Sequence, residues 1–251
     1  MRSHLDQPLD RRALLVTGGL VIPALMVTAA CSRGGADGGE KGDKEGGEQE
    51  VTANEDLMRE HGVLRRILVL YREVAPRIET NANVDVAALA TAATLFRDFG
   101  EQYHEKMLEE QYIFPAVRKA GGQVAALPDI LLAQHARGRE ITNYILDQTK
   151  GGRIGTAQAA PLAKAMVGFS RMYEAHSARE DTIIFPAFKK AFSEEQFKEL
   201  GEKFEDIEKK QFGGDGFDMA VDKVAQAEQA LGIADLATFT PPPPPTGSAK
   251  A

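Results

Sequence analysis

Between residues 54 and 188 the apolar positions recur every three to four residues in four long runs, and little of the chain alternates with the period of a strand. The spacing predicts a first helix over about residues 54–75, with Leu57, His61, Leu64 and Leu68 on one face. Thr52-Ala53-Asn54-Glu55 has the spacing of a capping box at its start, and Pro76 is expected to help end it. A second helix over about residues 84–114 carries Phe96, Phe99, Tyr103 and Met107. A third begins near Pro128 or Asp129, where proline suits a first turn, and reaches about residue 149; a fourth covers about residues 159–185. Gly121-Gly122 and Gly151-Gly152 break the chain between helices. Connections this short favour antiparallel neighbours, so the expected architecture is all-α, an antiparallel up-down four-helix bundle over residues 54–192. Additional C-terminal helices follow over residues 193–235. Ser193-Glu194-Glu195-Gln196 opens an amphipathic helix with Phe197, Leu200, Phe204 and Ile207, expected to pack on the bundle, and a shorter helix runs from about residue 219 to 231. Residues 236–251 form a proline-rich tail with no chemistry to argue from.

The same periodicity places polar groups where apolar ones belong. His176 and Glu180 lie four apart, about 40° around a helix axis, on a face whose other residues include Phe169, Met172, Tyr173 and Ile183. Burying an imidazole beside a carboxylate is costly unless something satisfies both, and a divalent metal does so directly. An isolated His-x-x-x-Glu is ordinarily a surface ion pair, but here the neighbourhood occurs twice. Ile113-Phe114-Pro115-Ala116 recurs 71 residues later as Ile184-Phe185-Pro186-Ala187, and Glu109 and Glu180 keep that offset. His61 and His135, 74 apart, lie early on the first helix of each pair. Four of the five histidines thus occupy matching places in two copies of a helix pair, a distribution that core packing does not explain.

Composition narrows the classes. The acidic balance of this 251-residue chain, formal charge −7, argues against a nucleic-acid partner, and a single cysteine excludes an internal disulfide. Residues 1–31 look like an export signal: Arg11-Arg12 precede an apolar-leaning run that ends in small residues before Cys31. The arginine pair resembles a twin-arginine signal, and Val27-Thr28-Ala29-Ala30-Cys31 resembles a bacterial lipoprotein cleavage site, which makes Cys31 a lipid-attachment point. An uncleaved anchor helix is the competing expectation. Either one describes an exported bacterial protein, membrane-tethered and facing the periplasm or cell exterior. Residues 32–53 are mostly Gly, Glu, Lys and Asp and read as a flexible linker.

His61 in Arg-Glu-His-Gly, His104 and Glu109 before Ile-Phe-Pro-Ala, His135 in Ala-Gln-His-Ala, and His176-x-x-x-Glu180 before the second Ile-Phe-Pro-Ala together resemble the hemerythrin-like, or HHE cation-binding, family. The resemblance implies a non-haem di-iron cofactor, two Fe ions with an oxo or hydroxo bridge, held between the helices. Glu109 and Glu180 match the family's bridging carboxylates, and His61, His104, His135 and His176 its terminal imidazoles. Two ions a few ångströms apart repel unless anions lie between them, which accounts physically for paired carboxylates. Two positions depart from the pattern. His104 and Glu109 are five apart, about 140° on an ideal helix, so either a π-bulge restores one face or Glu105, four before Glu109, is the ligand or an added one. Oxygen carriers of the family resemble His-x-x-x-His on the third helix, whereas His135 is followed four later by Arg139, as His61 is by Arg65. Those arginines either lie on the surface, or pair with ligand carboxylates or admit an anion. Tyr173 is core or a neighbour of the metal. The implied function is binding or sensing of dioxygen or another small diatomic ligand, with no catalytic residue assigned. The alternatives are a di-iron oxidoreductase and a structural or interaction lipoprotein holding an incidental ion.

Overall fold

A capping box opens the first helix. Thr52 accepts from the Glu55 backbone N–H, and the Glu55 carboxylate accepts from the Thr52 N–H at 2.9 Å. The structure, a computed structural model, describes residues 51–245, and no strand occurs among them. Helix α1 spans Ala53–Glu79. Helix α2 covers residues 86–120 in three continuous parts: α-helical Val86–Leu95, π-helical Phe96–Ile113 and α-helical Phe114–Ala120. A short 3₁₀ turn, Gln123–Ala126, leads into α3, Leu127–Thr149. Helix α4 covers residues 156–190, with a π turn at Glu180–Ile184 between Thr156–Arg179 and Phe185–Lys190. Helices α5, Glu194–Phe212, and α6, Gly216–Ala230, complete the set.

Pro76, expected to help end the first helix, does not end it. It sits inside α1 between buried Ala75 and Ile78, and the helix runs on to its cap at Thr80, whose backbone N–H and hydroxyl both donate to Pro76 O. Asn81, at φ 54°, then ends the helix with Ala82 N–H donating to Arg77 O. Pro115 and Pro186 each follow a π turn, where Phe114 N–H and Phe185 N–H reach back five residues to Glu109 O and Glu180 O. Both prolines fall in the first turn of the α-helical part that resumes after the π turn, a position where proline is tolerated.

The four long helices pack α1 on α4 and α2 on α3, with an aromatic floor of Phe96, Phe99, Phe169, Tyr71 and Tyr173. Close approach needs two glycines. A Cβ at Gly100 would lie 2.9 Å from Leu64 Cδ2, and one at Gly138 would lie 3.2 Å from Phe169 Cε2. Helix α5 begins with the expected capping box at Ser193 and packs on the bundle: Phe204 stacks on Phe188, and Phe212 meets Tyr103 edge-on at 5.2 Å. Helix α6 buries Ala220, Val224 and Ala227, and Glu228 takes a two-pronged contact from Arg66. None of the described helices is long and apolar enough to cross a membrane. The export signal, Cys31 and most of the linker lie outside the described residues.

Candidate metal centre

Each of the four long helices delivers one histidine to the middle of the bundle, and all four are at most 1% exposed. Their Nε2 atoms face one another in two pairs, His61 with His104 at 3.0 Å and His135 with His176 at 3.1 Å. Glu109 and Glu180, both fully buried, complete the cluster. Glu109 points Oε1 toward His104 Nε2 at 3.6 Å and Oε2 toward His135 Nε2 at 3.3 Å. Glu180 Oε2 lies 3.0 Å from His176 Nε2 and 3.5 Å from His61 Nε2, with Oε1 4.0 Å from His135 Nε2. Each carboxylate therefore reaches both histidine pairs.

The other ring nitrogens fix the tautomers. His61 Nδ1–H donates to Asp181 at 2.6 Å, His104 Nδ1–H to Glu60 at 2.6 Å, His135 Nδ1–H to Glu110 at 3.0 Å, and His176 Nδ1–H to Gln134 Oε1 at 3.0 Å. With Nδ1 protonated, each neutral imidazole turns a bare Nε2 lone pair inward. None of the four oxygens of Glu109 and Glu180 receives a hydrogen bond of proper geometry. Buried acceptors left this way are expensive. A metal ion satisfies all of them at once. Donors at about 2.1 Å from an octahedral ion lie about 3.0 Å apart when adjacent, close to the spacings within each histidine pair. The donor set fits a metal, and the residues group as Glu109, His135, His176 and Glu180 and as His61, His104 and Glu109.

Protons do part of this work when no metal is bound. Burial alone would lower His135, yet the charges of Glu105, Glu109 and Glu110 raise it to about 10. His104 likewise rises well above its ordinary value against its own burial, because Glu109 and Glu60 face it, and Glu109 in turn is held well below the carboxylate range by His104 and His135.

His61, His104, Glu109, His135, His176 and Glu180 thus meet in one place. The π-helical stretch of α2 brings His104 and Glu109 to one face, so five-residue spacing here does what four-residue spacing does in α4. Glu105 points elsewhere: its Oε2 lies 3.0 Å from Arg139 and 3.9 Å from the outer nitrogen of His135. Ile183, expected on the buried face, is 41% exposed, and Ile184 is buried in its place, because the π turn after Glu180 shifts the register by one. The arginines are neither free on the surface nor paired with Glu109 or Glu180. Arg65 pairs with Asp181, and Arg139 with Glu105 and Glu110.

Matched against models of known families, residues 52–188 fit the hemerythrin HHE cation binding domain. The chain belongs to that family. An uncharacterized protein of Mycobacterium tuberculosis and one of Mycobacterium bovis are each 46% identical to this hemerythrin-like chain over 197 residues, 77% of this chain and 76% of the relative. No solved structure matches it.

The outer acceptors Glu60, Glu110, Asp181 and Gln134 were not picked out from sequence. A signal was present: each directly adjoins one of the six, as Glu60-His61, Gln134-His135, Glu109-Glu110 and Glu180-Asp181, and the pairs repeat between the two halves. Tyr173 is buried with its ring 5.0 Å from that of His176, and its hydroxyl has no hydrogen-bond partner among the described residues.

Proposed function

We propose that this hemerythrin-like protein holds two irons and binds or senses dioxygen or another small diatomic ligand. One observation carries the proposal: two pairs of inward imidazole nitrogens share two carboxylates whose four oxygens are otherwise unsatisfied. His61 and His104 would hold one ion and His135 and His176 the other, with Glu109 and Glu180 spanning both. The irons would supply reversible one-electron chemistry and open positions for a small ligand.

The chain's own part is to orient donors and exclude water. Phe185 stacks on His61 and Phe114 on His135, each with ring centroids 5.4 Å apart, so the Ile-Phe-Pro-Ala motifs roof the two histidine pairs with apolar rings. Every proposed ligand is at most 1% exposed, which restricts access to very small molecules. The test is metal content of protein from its native host, with absorption spectra before and after reduction and on admission of dioxygen or nitric oxide. Stoichiometric iron with a spectrum that responds to these gases is expected. Iron-free protein would overturn the proposal, and continuous consumption of reductant would move it to an oxidoreductase.

A further inference from the structure

We infer that the two metal positions are unequal, and that Gln134 is the residue that makes them so. The inference rests on the two-metal reading above and adds a rank order to it. The bundle is built from two copies of a helix pair, and the outer contacts follow that symmetry closely. In each hairpin the residue preceding the first-helix histidine holds the second-helix histidine: Glu60 holds His104, and Gln134 holds His176. Across the halves, the residue following each carboxylate holds the remaining histidine: Asp181 holds His61, and Glu110 holds His135.

The symmetry fails in charge and in distance at the same end. His61 and His104 each donate to an anionic oxygen at 2.6 Å. Arg65 takes the other oxygen of Asp181, so the one facing His61 is not shared. His135 and His176 each donate at 3.0 Å, the first to a carboxylate oxygen that an arginine shares and the second to a neutral group. Glu110 Oε1, which faces His135, is also held by Arg139 at 2.5 Å, and Gln134 presents a neutral amide to His176. Glu105 brings a negative charge near this end but lies 3.9 Å from His135 Nδ1, beyond hydrogen bonding, and is itself paired with Arg139.

A hydrogen bond from Nδ1–H to a carboxylate strengthens the donor at Nε2 and offsets part of the metal's charge. Shorter, charge-assisted bonds do more of this than bonds to a neutral acceptor. The His61/His104 position therefore binds its ion more tightly and stabilises the higher oxidation state. The His135/His176 position is the one that loads second, empties first and is reduced more readily. Gln134 is a positioning residue in this scheme, acting on the metal through His176.

The experiment is a titration of metal-free full-length protein with Co(II), followed by absorption and calorimetry, in wild type and in Gln134→Glu, Glu60→Gln and Asp181→Asn. Wild type should bind in two steps separated by about tenfold or more, the usual scale of outer-contact effects. Gln134→Glu should tighten the second step by about tenfold and leave the first in place, and the other two should weaken the first step. Two equal steps in wild type, or an unchanged second step in Gln134→Glu, would overturn the inference while leaving the two-metal reading intact. Failure of Co(II) and Fe(II) to bind at all would remove both. Circular dichroism of each variant separates a lost contact from a lost fold.

Discussion

Replacing Glu180 would remove a donor from both proposed metal positions at once, because its Oε2 lies 3.0 Å from His176 Nε2 and 3.5 Å from His61 Nε2. The size of the effect can be bounded. Structural sites of four protein ligands bind their ion with about 10–16 kcal/mol, or about 3–4 kcal/mol for each ligand, which is roughly two to three powers of ten in affinity. Glu180→Ala should lose that much at each position. Glu180→Gln keeps the volume and one neutral oxygen, so it should fall at the lower end. The carboxylate is fully buried, so the alanine variant also leaves a void, and the glutamine variant is the cleaner test.

The assay is iron per chain after dialysis against a chelator, with helix content as the check on folding. Wild type should retain about two irons. Both Glu180 variants should lose most of the metal, and Lys190→Ala, at an exposed position near the end of α4, should lose none. Equal iron in wild type and in folded Glu180→Gln would refute the assignment, since a residue that spans both positions cannot be dispensable.

Four further outcomes are expected. His104→Ala should lose far more metal than Glu105→Ala, because only His104 turns a donor toward the centre; the reverse result would restore Glu105 as the ligand. Without metal, the raised His135 adds stability that is complete below about pH 6.5 and disappears as pH climbs through about 10. Thermal melts of chelated protein should therefore weaken across that window while iron affinity rises, since binding must expel the proton; melts that do not change with pH would contradict the electrostatics. Phe169→Ala, deleting a fully buried ring that meets Phe96 at 4.9 Å, should cost about 3–5 kcal/mol in urea unfolding, and a loss under 1 kcal/mol would show the floor is loosely packed. Replacing Arg11 and Arg12 by Lys should strand the precursor in the cytoplasm, and Cys31→Ala should release the protein from membranes; normal export and retention would exclude the twin-arginine and lipid-anchor readings respectively.

Much of this fold was legible because helical periodicity and two capping boxes are local signals, carried by residues a few positions apart. The candidate site was legible through the repeat, which singled out His61, His135, Glu109 and Glu180 without any tertiary information. The second-helix ligand of the first half was not. Offsetting the halves by 71 residues aligns His176 with Glu105, whereas in space His176 corresponds to His104, 72 residues earlier. The discrepancy of one is the residue that the π-helical stretch absorbs between His104 and Glu109. No propensity marks such a stretch, since it is favoured by what it lets two side chains do. The same effect hid Ile184 behind Ile183.

The outer acceptors were missed for a different reason. An acid beside a histidine in sequence points about 100° away from it on a helix, so neighbours in the chain look unrelated in function. In a bundle that rotation aims each at the histidine of an adjacent helix, Glu60 at His104 on α2 and Asp181 at His61 on α1. A duplicated helix pair makes each such contact twice, and hence makes any difference between the copies informative. Glu60 against Gln134 is one such difference. Glu105 against Ser177 is another: the first pairs with Arg139, and the second accepts only a 3.4 Å hydrogen bond from Arg65. Both changes fall in the ring around the ligands, while the six inward residues themselves match copy for copy. On the two-metal proposal, symmetry in the inner set would satisfy two equal charges, and asymmetry in the outer ring would set the two ions apart without altering what holds them.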